Sequence, residues 1–379
     1  MNDSSRQASK PAVAPTRARI RCETEPSTLR RGELRTMQPA DAPTRVALIG
    51  CGGISGNHLA GYRHVPEAEL VACCDVSAER AEAFARAAGI SDVYAVYADV
   101  LDRDDIDMVD ICAIDEVHAE IAVAALRAGK HALIEKPFAM TAAEGEAVVT
   151  ASQDSGRLAM CAQSLRWDPK MLALKRTLDA GRIGELVYAR YCSPASAFWR
   201  PEQAEAYAER AADWLLVHNG MHSFDLLSWL FDSSPVRVHA RSHPGQEWLP
   251  VHEYVTCTVR FASGAMAQSE ENRIMQPPGY PFHCELYVVG TEGTIDLSDR
   301  LTHSMSLWNS GGFSVPGAHI SWSPDDPDMP FACEIREFVN AIRTGGDPPI
   351  PLEFSLGVLK GVLAGAQSLR TGQAVEVGS

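Results

Sequence analysis

From Arg45 to Asp75 the chain runs RVALIGCGGISGNHLAGYRHVPEAELVACCD, an order of residues that few folds accept. Val46 to Ile49 is a short, wholly apolar run of the kind that forms a strand buried on both faces, and the glycines after it open a helical stretch. A second apolar run then ends on a carboxylate, Asp75, 25 residues after Gly50. Gly50 and Gly52 permit a tight turn and a close approach of backbone to a pyrophosphate, whose charge a helix N-terminus stabilises. An acid at this distance accepts hydrogen bonds from an adenosine ribose. The segment therefore reads as a dinucleotide-binding strand, turn, helix and strand. Ser55 stands where the pattern has its third glycine; it is small enough for close helix–strand packing, whereas Gly56 is out of register. Glycine turns between strand and helix also occur without ligands, so the assignment rests on the five features together.

A chain of 379 residues, 46% of them apolar, can bury a large core and suggests two domains. No apolar run approaches the roughly 20 residues that span a bilayer, and no positive-then-apolar leader opens the chain, so a cytoplasmic protein without membrane attachment is expected. Ten cysteines are scattered without a CxxC pair or finger spacing and read as reduced, structural thiols; no metal centre is expected. Residues 1–45 hold nine Lys or Arg and five acids, a net of +4, so the other 334 hold 25 and 44, a net of −19. An acidic body disfavours nucleic acid as a partner. Residues 1–43, rich in Ser, Arg, Pro and Thr, cannot repay the entropy of ordering and are expected to be a disordered extension. Their composition resembles a transit peptide but lacks its amphipathic helix, and an upstream start codon chosen in error fits as well.

Beyond Asp75 the pattern alternates. Ala78–Ala88 reads as a helix, Val93–Tyr97 and Met108–Ile114 as strands, Glu116–Ala128 as a helix closed by Gly129, and His131–Ile134 as a strand. Thr141–Ser155 follows as a helix with Thr141 as its N-cap. This predicts an α/β domain over 44–165 with a doubly wound parallel sheet, binding ligands at the carboxyl ends of its strands. In the second half, Leu186–Tyr191, Val236–Arg241, Tyr254–Phe261, Ala265–Ser269, Cys284–Val289 and Thr294–Leu297 read as strands with little helix between them. Residues 166–379 are thus predicted to form an α+β domain with a mostly antiparallel sheet. The amphipathic helices Met329–Arg343 and Phe354–Arg370 cover one face of it or return to the first domain.

Two segments carry chemistry. Lys136 lies at a strand end between Glu135 and Pro137, where an ammonium can hold a substrate hydroxyl and favour its alkoxide. Pairing with Glu135 is the plainer alternative. In the second segment, VHNGMHSFDLLSWL at 217–230, a helix would bring His218, His222 and Asp225 within about 60° of one another, beside the apolar stripe of Leu226, Leu227 and Leu230. An imidazole is the natural general base for a hydroxyl proton. The same pair also suits buried histidines satisfied by hydrogen bonds, or an i, i+4 zinc pair, although no HExxH glutamate accompanies it.

With these residues in place, the chain from about 44 to 379 resembles the Gfo/Idh/MocA family of nicotinamide-dependent oxidoreductases, named for glucose-fructose oxidoreductase, inositol dehydrogenase and a rhizopine catabolism protein. The matching segments are GCGGISGNH at 50–58, CD at 74–75, AGKHALIEKP at 128–137, LRWDP at 165–169, GRIGEL at 181–186, GMHSFDLLSWL at 220–230, VVGTEGTIDL at 288–297 and FACEIREFVNAIRTG at 331–345. The resemblance implies a Rossmann domain and a second domain with a large, open-faced sheet through which relatives form homodimers or homotetramers. It implies Gly50, Gly52, Gly53, Ile54, Asp75, His118, Glu135 and Lys136 as cofactor-binding residues, and Lys136 and His222 as catalytic; His218, on the same helix face, joins them from its position in this sequence. Oxidation of a secondary alcohol of a sugar, cyclitol or sugar acid, or reduction of the ketone, follows. NAD is expected over NADP, because Asp75 would repel a 2′-phosphate and Val76 offers no cation. Two other outcomes are compatible with the family: redox-neutral elimination or hydrolysis through transient use of the nicotinamide, and an NAD-binding regulatory protein.

The sequence departs from the family pattern twice. His218 stands where an acid often precedes the helix histidine by four residues, and Ala113-Ile114-Asp115 replaces the usual threonine-proline-asparagine. The first change removes the carboxylate that would orient the base, leaving open whether His222 takes the proton, His218 takes it with His222 binding substrate, or the pair shares it. Substrate choice is assigned to the loops 193–213 and 270–283, with Trp199, Arg200 and Trp214 as candidates whose alternative is ordinary packing.

Overall fold

A computed structural model describes residues 42–196, 213–243, 252–275, 285–298, 306–309, 312–314 and 329–378. The extension expected to be disordered lies outside these apart from its last two residues, as do Trp199, Arg200 and most of the two specificity loops. The first six strands are Thr44–Ile49 (β1), Ala68–Cys74 (β2), Asp92–Tyr94 (β3), Met108–Ile111 (β4), His131–Ile134 (β5) and Ala159–Cys161 (β6). They pair in parallel in the order β3-β2-β1-β4-β5-β6. The winding reverses between β1 and β4, and the carboxyl ends of those strands flank the crevice in which such sheets bind ligands.

The helices of this half are Ser55–Tyr62 (α1), Ala78–Ala88 (α2), Tyr97–Leu101 (α3), His118–Arg127 (α4) and Ala142–Ser155 (α5). Local signals set their ends: the Ser77 hydroxyl caps α2 and left-handed Gly89 closes it, while Thr141 and Glu144 form a reciprocal capping box on α5. Two expected strands are shorter than their apolar runs. The first stops at Tyr94, and Tyr97 opens α3 instead. The second stops at Ile111, where both neighbours also end, at Ile49 and Ile134. Beyond it, Asp115–Val117 forms a single 3-10 turn.

The second half holds Leu186–Ser196 (β7), Pro235–His243 (β8), Tyr254–Phe261 (β9), Met266–Met275 (β10), Glu285–Gly290 (β11), Gly293–Ser298 (β12), Ser306–Asn309 (β13), Gly312–Ser314 (β14) and Val375–Glu376 (β15). They form one sheet in the order β14-β13-β12-β11-β7-β10-β9-β8-β15, antiparallel except for the β7–β10 pair. Its helices are Pro169–Asp179 (α6), Trp214–Phe231 (α7), Pro330–Thr344 (α8) and Leu352–Thr371 (α9). Leu216 and Phe224 of α7 and Leu359 and Val362 of α9 share a core with Val238, Cys257 and Val259 on one face of this sheet. The other face carries Tyr188 bonded to Gln268, and Arg190 bonded to Glu270.

Helix α8 lies instead on the first sheet, its Phe331, Ala332, Ile335 and Phe338 packed with Val46, Met108, Leu133 and Met160. Gly61 permits this approach, since a Cβ there would lie 3.0 Å from the Ile335 Cδ1 and 3.1 Å from the Phe331 carbonyl carbon. No described helix is long and apolar enough to cross a membrane.

Candidate active site

The glycine turn divides its labour. Gly50 has φ +99°, and a Cβ there would lie 2.4 Å from the Ala113 nitrogen, so this glycine lets the turn after β1 press against the backbone that follows β4. Among the described residues, nothing fills the space beside Gly52 and Gly53 and no side chain caps α1. The Asn57 amide already donates to the Ile54 carbonyl at 2.9 Å, so the Ser55 and Gly56 amides are the ones this helix N-terminus offers to an anion. The Ser55 hydroxyl donates to the Gly52 carbonyl at 2.7 Å and pins the turn. Ile54 packs half-buried between two core clusters, and its carbonyl accepts the Asn57 and His58 amides.

Asp75 is held tightly. Its Oδ2 accepts from the Cys51 amide (2.8 Å) and Arg80 Nε (3.2 Å), its Oδ1 from the Ser77 amide (2.8 Å) and Arg80 Nη2 (2.7 Å). Burial would raise the carboxyl, but Arg80 and the two amides outweigh it and hold the pKa below the usual range. The expectation of no compensating cation concerned position 76 alone and did not weigh Arg80. Position 76 carries none, but the helix that Asp75 leads into brings a guanidinium back onto it. A helix without a side-chain cap, an open turn and an acid at the end of the second strand together fit an adenine dinucleotide.

At the end of β5, Glu135 turns inward. Its Oε1 lies 3.0 Å from His58 Nε2, and its Oε2 accepts the Lys136 amide at 2.9 Å. His58 Nδ1 lies 2.8 Å from Asp110 Oδ2, which also accepts the Tyr62 hydroxyl at 2.9 Å. His118 bridges the two strand ends, with Nδ1 2.8 Å from the Pro137 carbonyl and Nε2 2.9 Å from that of Ala113. Glu135 and His118, read from sequence as cofactor-binding, thus commit their polar atoms to the scaffold that holds the Lys136–Pro137 turn. His58, Asp110 and Cys112 bring potential metal-ligand atoms within 4.8 Å of one another, but hydrogen bonds occupy both histidine nitrogens and burial raises the thiol pKa.

The Lys136 ammonium does not pair with Glu135. It crosses to α7, with Nζ 3.0 Å from His218 Nε2 and 3.3 Å from the His218 carbonyl. On the other side of the ring, His218 Nδ1 lies 2.7 Å from Asp115 Oδ2, which also accepts the Trp214 indole N–H at 3.2 Å. Trp214 stacks on the His218 ring, centroids 4.6 Å apart. Burial would raise Asp115, but His218 and Lys136 hold it at about 2. Burial and then the Lys136 charge lower His218. Burial also lowers Lys136, against the pull of Glu135 and Asp115. An ammonium on one nitrogen and a carboxylate on the other leave His218 no free site for zinc.

One turn further on, burial and the Lys136 charge push His222 down to about 3. Its Nδ1 is buried without a hydrogen-bond partner among the described residues. Asp225 does not join the imidazoles: Arg166, from the LRWDP segment, takes both its oxygens at 2.7 Å. The sequence reading missed Asp115 as the partner of His218. A signal for it existed, because one departure from the family pattern loses a carboxylate and the other gains one.

A parallel sheet with a reversal beside its glycine turn, joined to a second sheet through a lysine–histidine contact, defines a two-domain nicotinamide-type oxidoreductase. The family description "Oxidoreductase family, NAD-binding Rossmann fold" matches residues 44–163, and "GFO/IDH/MocA C-terminal domain" matches residues 171–296. The chain is 30% identical over 340 residues to D-apiose dehydrogenase of Paraburkholderia graminis, covering 88% of this chain and 89% of that one. It is 29% identical over 345 residues to 1,5-anhydro-D-fructose reductase of Ensifer adhaerens, covering 88% and 98%. An Agrobacterium radiobacter oxidoreductase, solved with NAD+, L-tartaric acid and magnesium, shares the fold with a TM-score of 0.81 at 22% identity, over 89% of this chain and 99% of that one. The protein belongs to the Gfo/Idh/MocA oxidoreductase family.

Proposed function

We propose that the protein interconverts a secondary alcohol and its ketone on a sugar, cyclitol or sugar acid, with NAD as the hydride carrier. The observation that carries this reading is the convergence of Lys136 with His218 across the two domains, 3.0 Å apart beside the switch point of the sheet. When bound, the nicotinamide supplies the hydride acceptor or donor. Lys136 polarises the substrate oxygen, and the hydroxyl proton is exchanged within the group that Lys136 forms with the adjoining imidazoles. His222 is held neutral and finds no partner for Nδ1 among the described residues, which suits a group reserved for ligand. The named relatives act on apiose and anhydrofructose, which supports a polyol-like substrate.

Preference for NAD rests on the fixed charge of Asp75, with Arg80 as the residue that would admit a 2′-phosphate if it swung away. The polar sheet face bearing Tyr188, Tyr287 and the half-exposed Val187 and Met266 suits a second copy of the chain in a homodimer or homotetramer. The eight described cysteines are free, in keeping with a reducing cytoplasm.

The test is net NADH formation by the full chain with NAD and a panel of sugars, cyclitols and sugar acids. Net NADH supports the dehydrogenase. Substrate consumed without net NADH points to the redox-neutral enzyme. Tight NAD binding with no turnover, and no response to changes at Lys136, points to a regulatory protein.

A further inference from the structure

The two departures from the family pattern meet in space. The acid absent from position 218 of α7 reappears as Asp115 on the opposite wall, 2.7 Å from the ring that replaced it. We propose that Asp115 is a positioning residue which, acting through His218, makes Lys136 the group that takes the hydroxyl proton of the substrate. This rests on the dehydrogenase reading above and adds to it the route of the proton.

The geometry assigns the hydrogens. An ionised carboxylate only accepts, so His218 Nδ1 carries the proton facing Asp115, and the lone pair on Nε2 faces the Lys136 ammonium. A proton shared across that contact moves from Nζ to Nε2, leaving a neutral amine at 136 and an imidazolium against Asp115. The amine then accepts the alcohol proton and becomes ammonium again. The hydride is the bound cofactor's share of the reaction, so the one proton released per turnover ends on His218. That side chain is 28% exposed and can pass the proton to water. Among the described residues no carboxylate bonds the His222 ring, so it does not stabilise an imidazolium in the same way. Stacking by Trp214, whose indole N–H also binds Asp115, fixes the ring plane. The charges that act on the relay are Asp115 and Glu135, which favour the added proton, and Lys136, which opposes it; His222 lies on the same helix, and Arg273 of β10 acts on Lys136 and His222.

The relay can be read without turnover, by nitrogen-15 histidine NMR of the full chain. In the wild-type protein His218 should be neutral with its proton on Nδ1. D115N should move its titration to lower pH, and K136M should move it to higher pH. In kinetics, D115N should lower kcat about a hundredfold with KM for NAD unchanged, and shift the pH–rate profile for oxidation to lower pH. The double exchange D115N/H218D, which returns a carboxylate to the helix beside Lys136, should regain about tenfold over D115N alone. An unchanged His218 titration in folded D115N, or a double exchange no better than the single, would overturn the proposal. If D115N does not fold, a His218 titration that fails to rise in K136M overturns it equally. A wild-type protein that titrates as expected but makes no NADH with any polyol would remove the dehydrogenase reading and leave the relay in place.

Discussion

His58 and His218 begin alike and end opposite. Each ring rests Nδ1 on a carboxylate, Asp110 at 2.8 Å and Asp115 at 2.7 Å. At Nε2, 3.0 Å away in both, His58 meets the Glu135 carboxylate and His218 meets the Lys136 ammonium. Burial lowers the proton affinity of both rings. For His58 the attraction of Asp110 outweighs it and the pKa stands well above the ordinary value, whereas for His218 the ammonium adds to burial and the pKa stays low. One ring is therefore a fixed cation that holds Glu135, and through it the Lys136 backbone, in place. The other is neutral and can accept a proton. What separates scaffold from chemistry here is the charge on the far side of the ring.

The largest effect that would break this comparison lies at Lys136. Lys136→Ala should lower turnover by about a thousandfold while changing NAD affinity by less than about threefold, as measured by steady-state kinetics and NAD titration. Turnover left intact would remove the chemical role of the His218 side. On the scaffold side, His58→Ala leaves Asp110 and Glu135 buried without their counter-charge and should cost about 3–5 kcal/mol in urea unfolding.

A smaller and sharper effect is the pH dependence of that loss. Because the folded pKa of His58 is raised, its stabilisation is complete below the ordinary 6.5 and fades as pH rises toward the folded value. Glu135 works the other way: burial opposes its charge, but His58 and Lys136 hold it at about 2, so its contribution is present above 4.5 and fades as pH falls toward 2. The stability difference between the wild-type protein and His58→Gln should therefore be widest between 4.5 and 6.5. A difference that grows above neutral pH would contradict the assignment of a fixed imidazolium. The smallest effect is expected at the adenosine end, where Arg80→Ala should weaken NADP relative to NAD by about tenfold in paired binding titrations.

Much of the scaffold was legible in the residues. His131–Ile134 and Ala78–Ala88 are the strand and helix that periodicity predicts, and Thr141 caps its helix as its side chain suggests. These signals are local, carried by hydrophobic spacing, a capping hydroxyl or a glycine able to turn left-handed. The misjudged strand ends depended on neighbours: Met108–Ile111 ends where β1 and β5 stop offering partners, which the apolar run does not record. Lys136, His218 and His222 could be singled out by type and place. Asp225 could not be placed correctly, because its partner Arg166 lies 59 residues away.

The sequence by itself determined that this chain builds a nucleotide-binding sheet followed by a second, mostly antiparallel one, since backbone preference and side-chain period act over a few residues. Only the tertiary structure decided which histidine is a fixed charge and which stays neutral. Asp115 and His218 are 103 residues apart, and Glu135 and His58 are 77 apart. Proton affinity follows from the charges and burial around a group, and those are set by the folding of distant segments onto one another.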